Sequence, residues 1–365
     1  MQIKTITCHD VYNVGASLQA YALSKYLTNC GHKVEIIDYK PDYLSYHYSL
    51  SWVGTKKYNK PIIKQAYLLA KLPKRLIALA SKRKRNFDLF KKNYLPVTKI
   101  SYRNIAELNE NCPHADLYIA GSDQIWNPFF DNGKDPSFFL QFVPKEKKKI
   151  SYAASFAVDS MTLEDQERIK PWLKQIDQIS VREKTGLDLL NSMGFTGVNV
   201  CDPVFLLNKE DWEDIAKPFN EFRYVFVYDF DNNGQIAEIV KRLKKDRDLK
   251  IVSFFDNEYA DRVCSDMGPL EFVGAIKSAD VVVSNSFHAT VFSIIFNREF
   301  YVVKRQEQIN SRMEDLLRLA GTSEHLISTY DEILENNMRT DFDNESILNM
   351  IEKSKEFLLS HISKE

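Results

Sequence analysis

The chain is poor in the residues that mark fibrous, low-complexity or cross-linked proteins. Its 365 residues include only 12 glycines and 12 prolines, which excludes collagen-like and low-complexity classes. The five cysteines are scattered and form no C-x-x-C pair, so we expect reduced thiols rather than a disulfide framework or a zinc cluster. No group of His, Asp or Glu has the spacing of metal ligands, and no metal site is predicted.

Long apolar runs and a large net charge are also missing. The longest apolar candidate, 281–296, is interrupted by Ser, Asn and His, so no membrane-spanning helix is predicted. The first residues lack a basic region followed by an apolar one, which argues against a signal peptide. A formal net charge of −1 gives no overall nucleic-acid footprint. These absences predict a cytoplasmic protein with no nucleic-acid partner.

What remains is a large globular chain in which strands alternate with helices. It is 44% hydrophobic, and its length corresponds to two domains. Apolar runs of strand length alternate with helical patterns in both halves, which predicts an α/β fold of two Rossmann-like domains facing a cleft. We predict an N-terminal domain at 1–205, a hinge near 203–221 and a C-terminal domain at 206–340. Helices at 341–365 are expected to pack back across both domains.

Residues 56–92 differ from the rest of the chain in charge. Thirteen of them are Lys or Arg, and Asp88 is the only acid. Basic and apolar residues alternate without turn motifs, which predicts a basic helical insertion over about 56–95, broken or kinked near Pro73. Two interpretations stay open. One is a solvated helical face, as most charge runs are; the other is peripheral contact with the anionic inner membrane surface.

Two polar motifs follow predicted strands in the N-terminal half. Asn13 and Gly15 open a helix whose backbone N–H groups can bind an anion, and the alternative is a tight strand–helix turn. The motif at 121–128 offers Asp123 as a general base or hydroxyl ligand and Trp126 as a platform for a sugar ring. Its alternative is an Asp- and Asn-stabilised turn with Trp126 buried beneath it.

Basic residues follow strands in the remaining motifs. Arg182 ends a predicted buried strand, where its guanidinium can hold a carboxylate or phosphate; the alternative is a structural ion pair. Lys304, Arg305 and Arg312 form a cationic loop, or a solvated face.

His288 lies where a predicted strand gives way to a helix, with apolar residues on both sides. We predict that it points into the cleft as an acid–base group beside an anionic substrate. The alternative is a satisfied core histidine. No nucleophile motif of the G-x-S-x-G type is present.

Together these motifs resemble the polysaccharide pyruvyl transferase family. The resemblance is carried by seven segments in the family's order: N-V-G-A-S-L-Q-A-Y-A-L at 13–23, G-S-D-Q-I-W-N-P at 121–128, I-S-Y-A-A-S-F at 150–156, S-V-R-E at 180–183, C-D-P-V-F-L-L at 201–207, S-N-S-F-H-A-T-V-F-S-I-I-F at 284–296 and N-S-R-M at 310–313. It implies a two-domain fold of the glycosyltransferase B type. It also implies transfer of pyruvate from phosphoenolpyruvate to two hydroxyls of a sugar, which forms a ketal during surface polysaccharide synthesis.

The resemblance also implies roles for individual residues. His288 becomes the catalytic histidine, and we expect Asp123 to assist it. The residues predicted to bind the donor are Arg182, Arg312, Asn13, Gly15 and Ser286. The residues predicted to bind the acceptor, a sugar or a lipid-linked oligosaccharide, are Trp126, Asn127 and Gln124. No cofactor is expected beyond the donor substrate, phosphoenolpyruvate.

The chain departs from the family at two positions beside the histidine. Family branches with established pyruvyl transfer carry Arg two positions before it and often Gly after it, whereas this chain has Ser286 and Ala289. Arg305 or Arg312 is expected to supply the missing charge. Two alternatives stay open: a glycosyltransferase that uses a nucleotide-sugar on the same fold, and a non-catalytic protein that binds glycans or anions.

Overall fold

Two units divide the chain in the computed structural model. The first comprises Met1–Phe156 and Thr162–Ile179, and the second comprises Ala157–Met161 and Ser180–Glu365. The structure describes residues 1–44, 53, 61–219, 221–305, 311–335 and 344–362. Parts of three predicted features lie outside the described residues: 56–60 of the insertion, 306–310 of the cationic loop, and 341–343 with 363–365 of the C-terminal segment.

The first unit contains a five-stranded parallel sheet with the strand order β3-β2-β1-β4-β5, which is the order of doubly wound sheets. Its strands are β1 (Gln2–Ile6), β2 (Lys33–Tyr39), β3 (Val97–Tyr102), β4 (Leu117–Ala120) and β5 (Lys148–Ser151). Its helices are α1 (Val14–Asn29), α2 (Pro61–Leu79), α3 (Lys82–Tyr94), α4 (Ile105–Glu110) and α5 (Leu163–Leu173). The central strands β1 and β4 are buried almost throughout, as strands covered on both faces require.

A buried glutamine ties helix α1 to the carboxyl ends of two neighbouring strands. Gln19 donates from Nε2 to Oγ1 of Thr7 at 2.9 Å and accepts the backbone N–H of Ser122 at 3.2 Å. Thr7 follows β1 and Ser122 follows β4, and the Thr7 hydroxyl donates to the Ser122 carbonyl at 2.9 Å. Because a buried amide without partners costs about 1–3 kcal/mol, these bonds fix the loop after β4 against α1.

The basic insertion forms helices α2 and α3, and of the break or kink predicted near Pro73, the break is wrong. Helix α2 continues through Pro73, and the break falls at Ser81, whose side chain accepts a backbone N–H and begins α3. Helix α3 packs through the buried rings of Phe87 and Phe90. By contrast, no described side chain of α2 is buried.

The second unit repeats the same sheet topology, with the order β10-β9-β8-β11-β12 and all neighbours parallel. Its strands are β6 (Ser180–Val181), β7 (Val198–Asn199), β8 (Tyr224–Tyr228), β9 (Lys250–Ser253), β10 (Arg262–Val263), β11 (Val281–Ser284) and β12 (Glu299–Val302). Its helices are α6 (Lys184–Ser192), α7 (Lys209–Ile215), α8 (Gly234–Arg247), α9 (Pro269–Ser278), α10 (Phe287–Ile295), α11 (Ser311–Leu319), α12 (Asp331–Glu335) and α13 (Asn344–Ile362).

The apolar core of this unit fixes where its central strands end. Val225 of β8 and Val283 of β11 belong to one buried cluster with Ile239 and Leu243 of α8. Full burial of such side chains contributes about 1.5–3 kcal/mol each. Strand β11 is therefore held in place up to Ser284, where its carboxyl end meets the loop that carries the histidine motif.

Residues 180–207 belong to the second unit, although the sequence predicts a first domain that extends to 205. Strands β6 and β7 pair with each other in a separate small sheet. The backbone N–H of Cys201 donates to the hydroxyl of Ser354 on α13 at 2.8 Å. The chain thus divides near 180 and not at the expected hinge of 203–221, and α13 belongs to the second unit.

Gly274 allows helix α9 to pack closely against the backbone carbonyl of Lys217. A Cβ atom at Gly274 would lie 1.6 Å from the oxygen of that carbonyl, so Gly274→Ala must displace α9. We expect this change to lower the free energy of unfolding by about 1–3 kcal/mol. Gly234→Ala is the matched control, since its Cβ would meet nothing within 4 Å. Chemical denaturation measures both, and a Gly274→Ala protein as stable as the wild type would contradict this packing.

Candidate active site

The histidine motif is a capped junction between a buried strand and a helix. Strand β11 ends at Ser284, and Ser286 then begins α10 by accepting the backbone N–H of Ala289 at 3.4 Å. This bond places His288 in the first turn of α10, at the carboxyl end of the sheet where α/β proteins bind ligands. The Ser286 side chain, predicted to bind the donor, is buried and acts as the helix cap.

A buried carboxylate connects His288 to Arg182. Oδ2 of Asp202 accepts a hydrogen bond from Nη1 of Arg182 at 2.7 Å and lies 3.6 Å from Nε2 of His288. Oδ1 of the same carboxylate accepts the backbone N–H of Val204 at 3.1 Å. The side chains of Asp202 and Arg182 are 0% and 2% exposed. Asp202 is therefore a fixed negative charge shared by two basic groups.

Opposing effects act on the acidity of this carboxylate. Burial alone raises the pKa of Asp202, but His288, Arg182 and the N–H of Val204 together hold that pKa well below its usual range. The carboxylate is thus charged throughout the neutral pH range. It stabilises the positive charge on Arg182.

Two arginines lie over one aromatic ring beside this pair. The guanidinium carbons of Arg182 and Arg312 are 5.0 Å and 5.8 Å from the ring centroid of Phe287. Arg182 comes from the end of β6, Phe287 from the start of α10 and Arg312 from α11. Cation–π attraction of about 0.5–2 kcal/mol per contact helps to hold two like charges near each other.

These side chains line a cavity of about 350 Å³ within the second unit. Arg182, Asp202, Phe287 and Arg312 all contribute to its wall, where basic residues outnumber acidic ones by four to three. The volume is that of a small-molecule pocket, which is typically about 300–1,000 Å³. His288 does not line this cavity; it adjoins it, 3.6 Å from Asp202 and with 12% of its own side chain exposed.

Asp202 is the central residue that the sequence analysis missed. The segment C-D-P-V-F-L-L contributed to the family resemblance, but no chemical role was given to its aspartate. A carboxylate directly before Pro203 and a run of apolar residues could have signalled a fixed acidic group that caps a helical turn. The predicted ion-pair alternative for Arg182 is present, and its partner is this residue.

In the first unit, the motif that opens α1 is held by its own side chain. Oδ1 of Asn13 accepts the backbone N–H groups of Gly15 at 2.9 Å and Ala16 at 3.2 Å. Those two amides already have an acceptor, as expected if the motif is a tight strand–helix turn. Donor binding by Asn13 and Gly15 stays a prediction.

The loop after β4 buries the tryptophan that was expected to hold a sugar. Trp126 is 1% exposed, its ring stacks on Phe139 at 5.2 Å, and its indole N–H donates to the Phe138 carbonyl at 3.1 Å. Phe156 lies 5.3 Å away, so the indole is enclosed by aromatic rings. This burial corrects the predicted role of Trp126 in stacking on a sugar and matches its structural alternative.

The polar residues around Trp126 shape the same loop. Nδ2 of Asn127 donates to Oε1 of Gln124 at 2.9 Å, and Oδ1 of Asn127 accepts the N–H of Phe129 at 3.0 Å. The backbone carbonyl of Asp123 accepts the N–H of Ser155 at 3.0 Å, while its side chain is half-buried. Acceptor binding by Gln124 and Asn127 and a catalytic role for Asp123 stay predictions.

Arg305, in the loop after the neighbouring strand β12, contacts the loop that carries the histidine motif. Its Nε donates to the carbonyl of Asn285 at 3.0 Å, and its guanidinium carbon lies 4.0 Å from the ring centroid of Phe230. Lys304 pairs with Glu314 in an exposed contact. The described part of the chain contains no group of three or more His, Cys, Asp or Glu that could hold a metal ion.

The chain belongs to the polysaccharide pyruvyl transferase family, whose family model matches residues 13–307. No curated protein matches the chain significantly. Among solved structures, UDP-N-acetylglucosamine 2-epimerases have a similar fold. The enzyme from Rickettsia bellii has a TM-score of 0.52 at 13% identity, with 99% of this chain and 96% of that chain covered.

A second similar structure is UDP-GlcNAc 2-epimerase from Methanocaldococcus jannaschii in complex with UDP-GlcNAc and UDP. Its TM-score is 0.51 at 10% identity, with 99% of this chain and 100% of that chain covered. At such identities the likeness concerns the fold alone. It confirms the predicted α/β fold of two Rossmann-like units of the glycosyltransferase B type, and the family match identifies a transferase.

Asp202→Ala is expected to destabilise the second unit strongly. The change removes the carboxylate that lies 2.7 Å from the buried Arg182 guanidinium, and breaking a buried pair typically costs about 3–5 kcal/mol. Asp331→Ala, which removes an exposed partner of Arg242, should cost no more than about 1 kcal/mol. Chemical denaturation compares the two variants, and equal small losses would show that the Asp202 pair contributes little.

The pH dependence of stability follows from the same pair. Because the pKa of Asp202 is lower in the folded than in the unfolded chain, its contribution is complete above about pH 4 and is lost only as pH falls below that value. The stability advantage of the wild type over Asp202→Ala should therefore decrease as pH falls below about 4, where the carboxylate of the unfolded chain takes up a proton. An advantage that does not decrease between about pH 4 and pH 2 would contradict the lowered pKa.

Proposed function

We propose that the protein transfers pyruvate from phosphoenolpyruvate to two hydroxyls of a sugar, forming a cyclic ketal on a precursor of a surface polysaccharide. The family match supports this reaction class. The acceptor is a sugar or a lipid-linked oligosaccharide, and the reaction takes place at the cytoplasmic side of the membrane. No cofactor is required beyond the donor.

The observation that carries the proposal is the pair of arginines over Phe287. Phosphoenolpyruvate has a carboxylate and a phosphate, and guanidinium groups bind both through paired hydrogen bonds. Arg182 and Arg312 line one cavity from two different elements, so they can engage the two acidic groups of a single small molecule. Arg312 then supplies the charge that family members with Arg at the position of Ser286 place on the helix itself.

His288 is the proton-transfer group in this proposal. Its Nε2 lies 3.6 Å from Oδ2 of Asp202, and the proposal assigns proton exchange with the substrate to Nδ1. The methylene carbon of phosphoenolpyruvate gains a proton, and the oxygen of one acceptor hydroxyl bonds to the neighbouring carbon. Phosphate then leaves that carbon, and the second hydroxyl replaces it. Of the two hydroxyl protons released, one balances the proton gained by carbon and the other is carried by phosphate.

A thermal-shift comparison of donors tests the proposed function. Phosphoenolpyruvate at about 100 times its Kd should stabilise the protein by about 2.7 kcal/mol, which raises the midpoint of unfolding. UDP-N-acetylglucosamine at the same concentration should leave the midpoint unchanged. The reverse result supports a nucleotide-sugar glycosyltransferase. No response to either donor would contradict both the pyruvyl transferase and the glycosyltransferase hypotheses. A non-catalytic protein that binds glycans or anions would then remain.

His288→Gln should reduce turnover by about 10²–10⁴-fold, the usual contribution of a general acid–base group. The fold should survive, because Asp202 keeps Arg182 as its partner. His114→Gln is the matched control on an exposed histidine of the first unit. Phosphate release in the presence of acceptor measures turnover. Wild-type turnover in His288→Gln would remove this residue from the mechanism, and loss of folding would support the core-histidine alternative.

A further inference from the structure

Helix α2 exposes apolar side chains that the proposed reaction does not use. Leu69 and Ile77 are 69% and 73% exposed, and Leu76 and Ile63 are 50% and 43% exposed. Single exposed apolar residues are ordinary on protein surfaces. Here four occur on one 19-residue helix that has no buried side chain among those described. Helices usually gain their stability by packing an apolar face, so this face is suited to another environment.

The apolar and basic residues of α2 lie on different sides of the helix. At about 100° per residue, Leu69, Leu72, Leu76 and Ile77 fall within one wide apolar arc. The basic residues fall together on the remaining arc: Lys64, Lys71, Lys74 and Arg75. Segment 61–79 contains no Asp or Glu. A wide apolar face bordered only by positive charge is the pattern of helices that lie in a membrane interface.

We propose that α2 docks the protein on an anionic lipid surface, with the apolar arc at the acyl boundary and the basic arc among the headgroups. The charges favour lipid over a second copy of the chain, because two copies would bring like charges together. The apolar arc consists of Leu, Ile, Ala and Pro side chains, which need no shaped partner in lipid. Among the described residues no helix, α2 included, has the length and apolar character needed to cross a membrane.

Vesicle flotation of the full chain tests this docking. The wild type should float with vesicles of phosphatidylglycerol and phosphatidylcholine in equal parts, and not with phosphatidylcholine alone. Binding should weaken with salt, since exposed charges are screened within about 10 Å at 0.1 M. Lys71→Gln/Lys74→Gln/Arg75→Gln should bind about 100-fold more weakly, at about fivefold per basic residue. Leu69→Ser/Ile77→Ser should bind at least about tenfold more weakly, because it removes apolar burial.

Matched controls come from other exposed positions. Leu163→Ser changes a side chain that is 77% exposed on α5, and Lys241→Gln/Lys245→Gln removes two exposed charges on α8. Both should float like the wild type. Circular dichroism of each variant confirms that it is folded before its binding is compared.

Three outcomes would overturn the proposal. Equal binding to both vesicle types would show that headgroup charge does not matter. Undiminished vesicle binding of Leu69→Ser/Ile77→Ser would show that the apolar arc does not enter the lipid. The contact would then be one of charge alone, of the kind that any acidic macromolecule could make with this helix. A concentration-dependent dimer that the same double change abolishes, measured by light scattering without lipid, would assign the apolar arc to a second copy. None of these measurements requires donor or acceptor, so they are independent of the proposed reaction.

Discussion

The site depends on one buried carboxylate, Asp202. Taking a charge out of water costs several kcal/mol, and the structure offsets that cost with a guanidinium at 2.7 Å and a backbone N–H at 3.1 Å. Arg182 follows β6 and His288 lies in the first turn of α10, so Asp202 connects segments that are distant in the chain. Because the carboxylate binds the guanidinium and lies 3.6 Å from the imidazole, it brings the arginine and the histidine into one arrangement.

In the proposed reaction, this arrangement divides the chemical work between neighbouring groups. Arg182 and Arg312 lie over Phe287 in the cavity wall, where they can balance the charge of an acidic donor. His288 adjoins the cavity and retains an exposed edge for proton exchange. Ser286 is occupied in capping the helix that carries the histidine, so an arginine at this position would have to give up that cap. In this chain Arg312 of α11 places a guanidinium over Phe287, and the proposal assigns the donor's countercharge to it.

Most central strands are apolar runs that alternate with helical patterns, and these runs predict the α/β fold. The edge strands β3, which exposed residues interrupt, and β10, which has only two residues, give no such run. The division near 180 could not be predicted from patterns, because it depends on contacts between distant segments, such as the bond between Cys201 and Ser354. The positions of the motifs point to His288 and Arg182 as candidate site residues. Their contacts with Asp202 join residues that are distant in the chain, so the motifs alone do not show them. Trp126 was misassigned because sequence does not show which aromatic side chains surround a ring.

Calorimetric titration of phosphoenolpyruvate tests the central claim of the account most directly. The wild type is compared with Arg312→Gln, which removes one guanidinium over Phe287, and with Arg242→Gln, which removes an exposed surface charge. A charged hydrogen bond contributes about 1.5–3 kcal/mol, so Arg312→Gln should weaken binding by about tenfold or more. Arg242→Gln should bind like the wild type. Equal affinity of all three proteins for phosphoenolpyruvate would contradict the donor site described for this cavity.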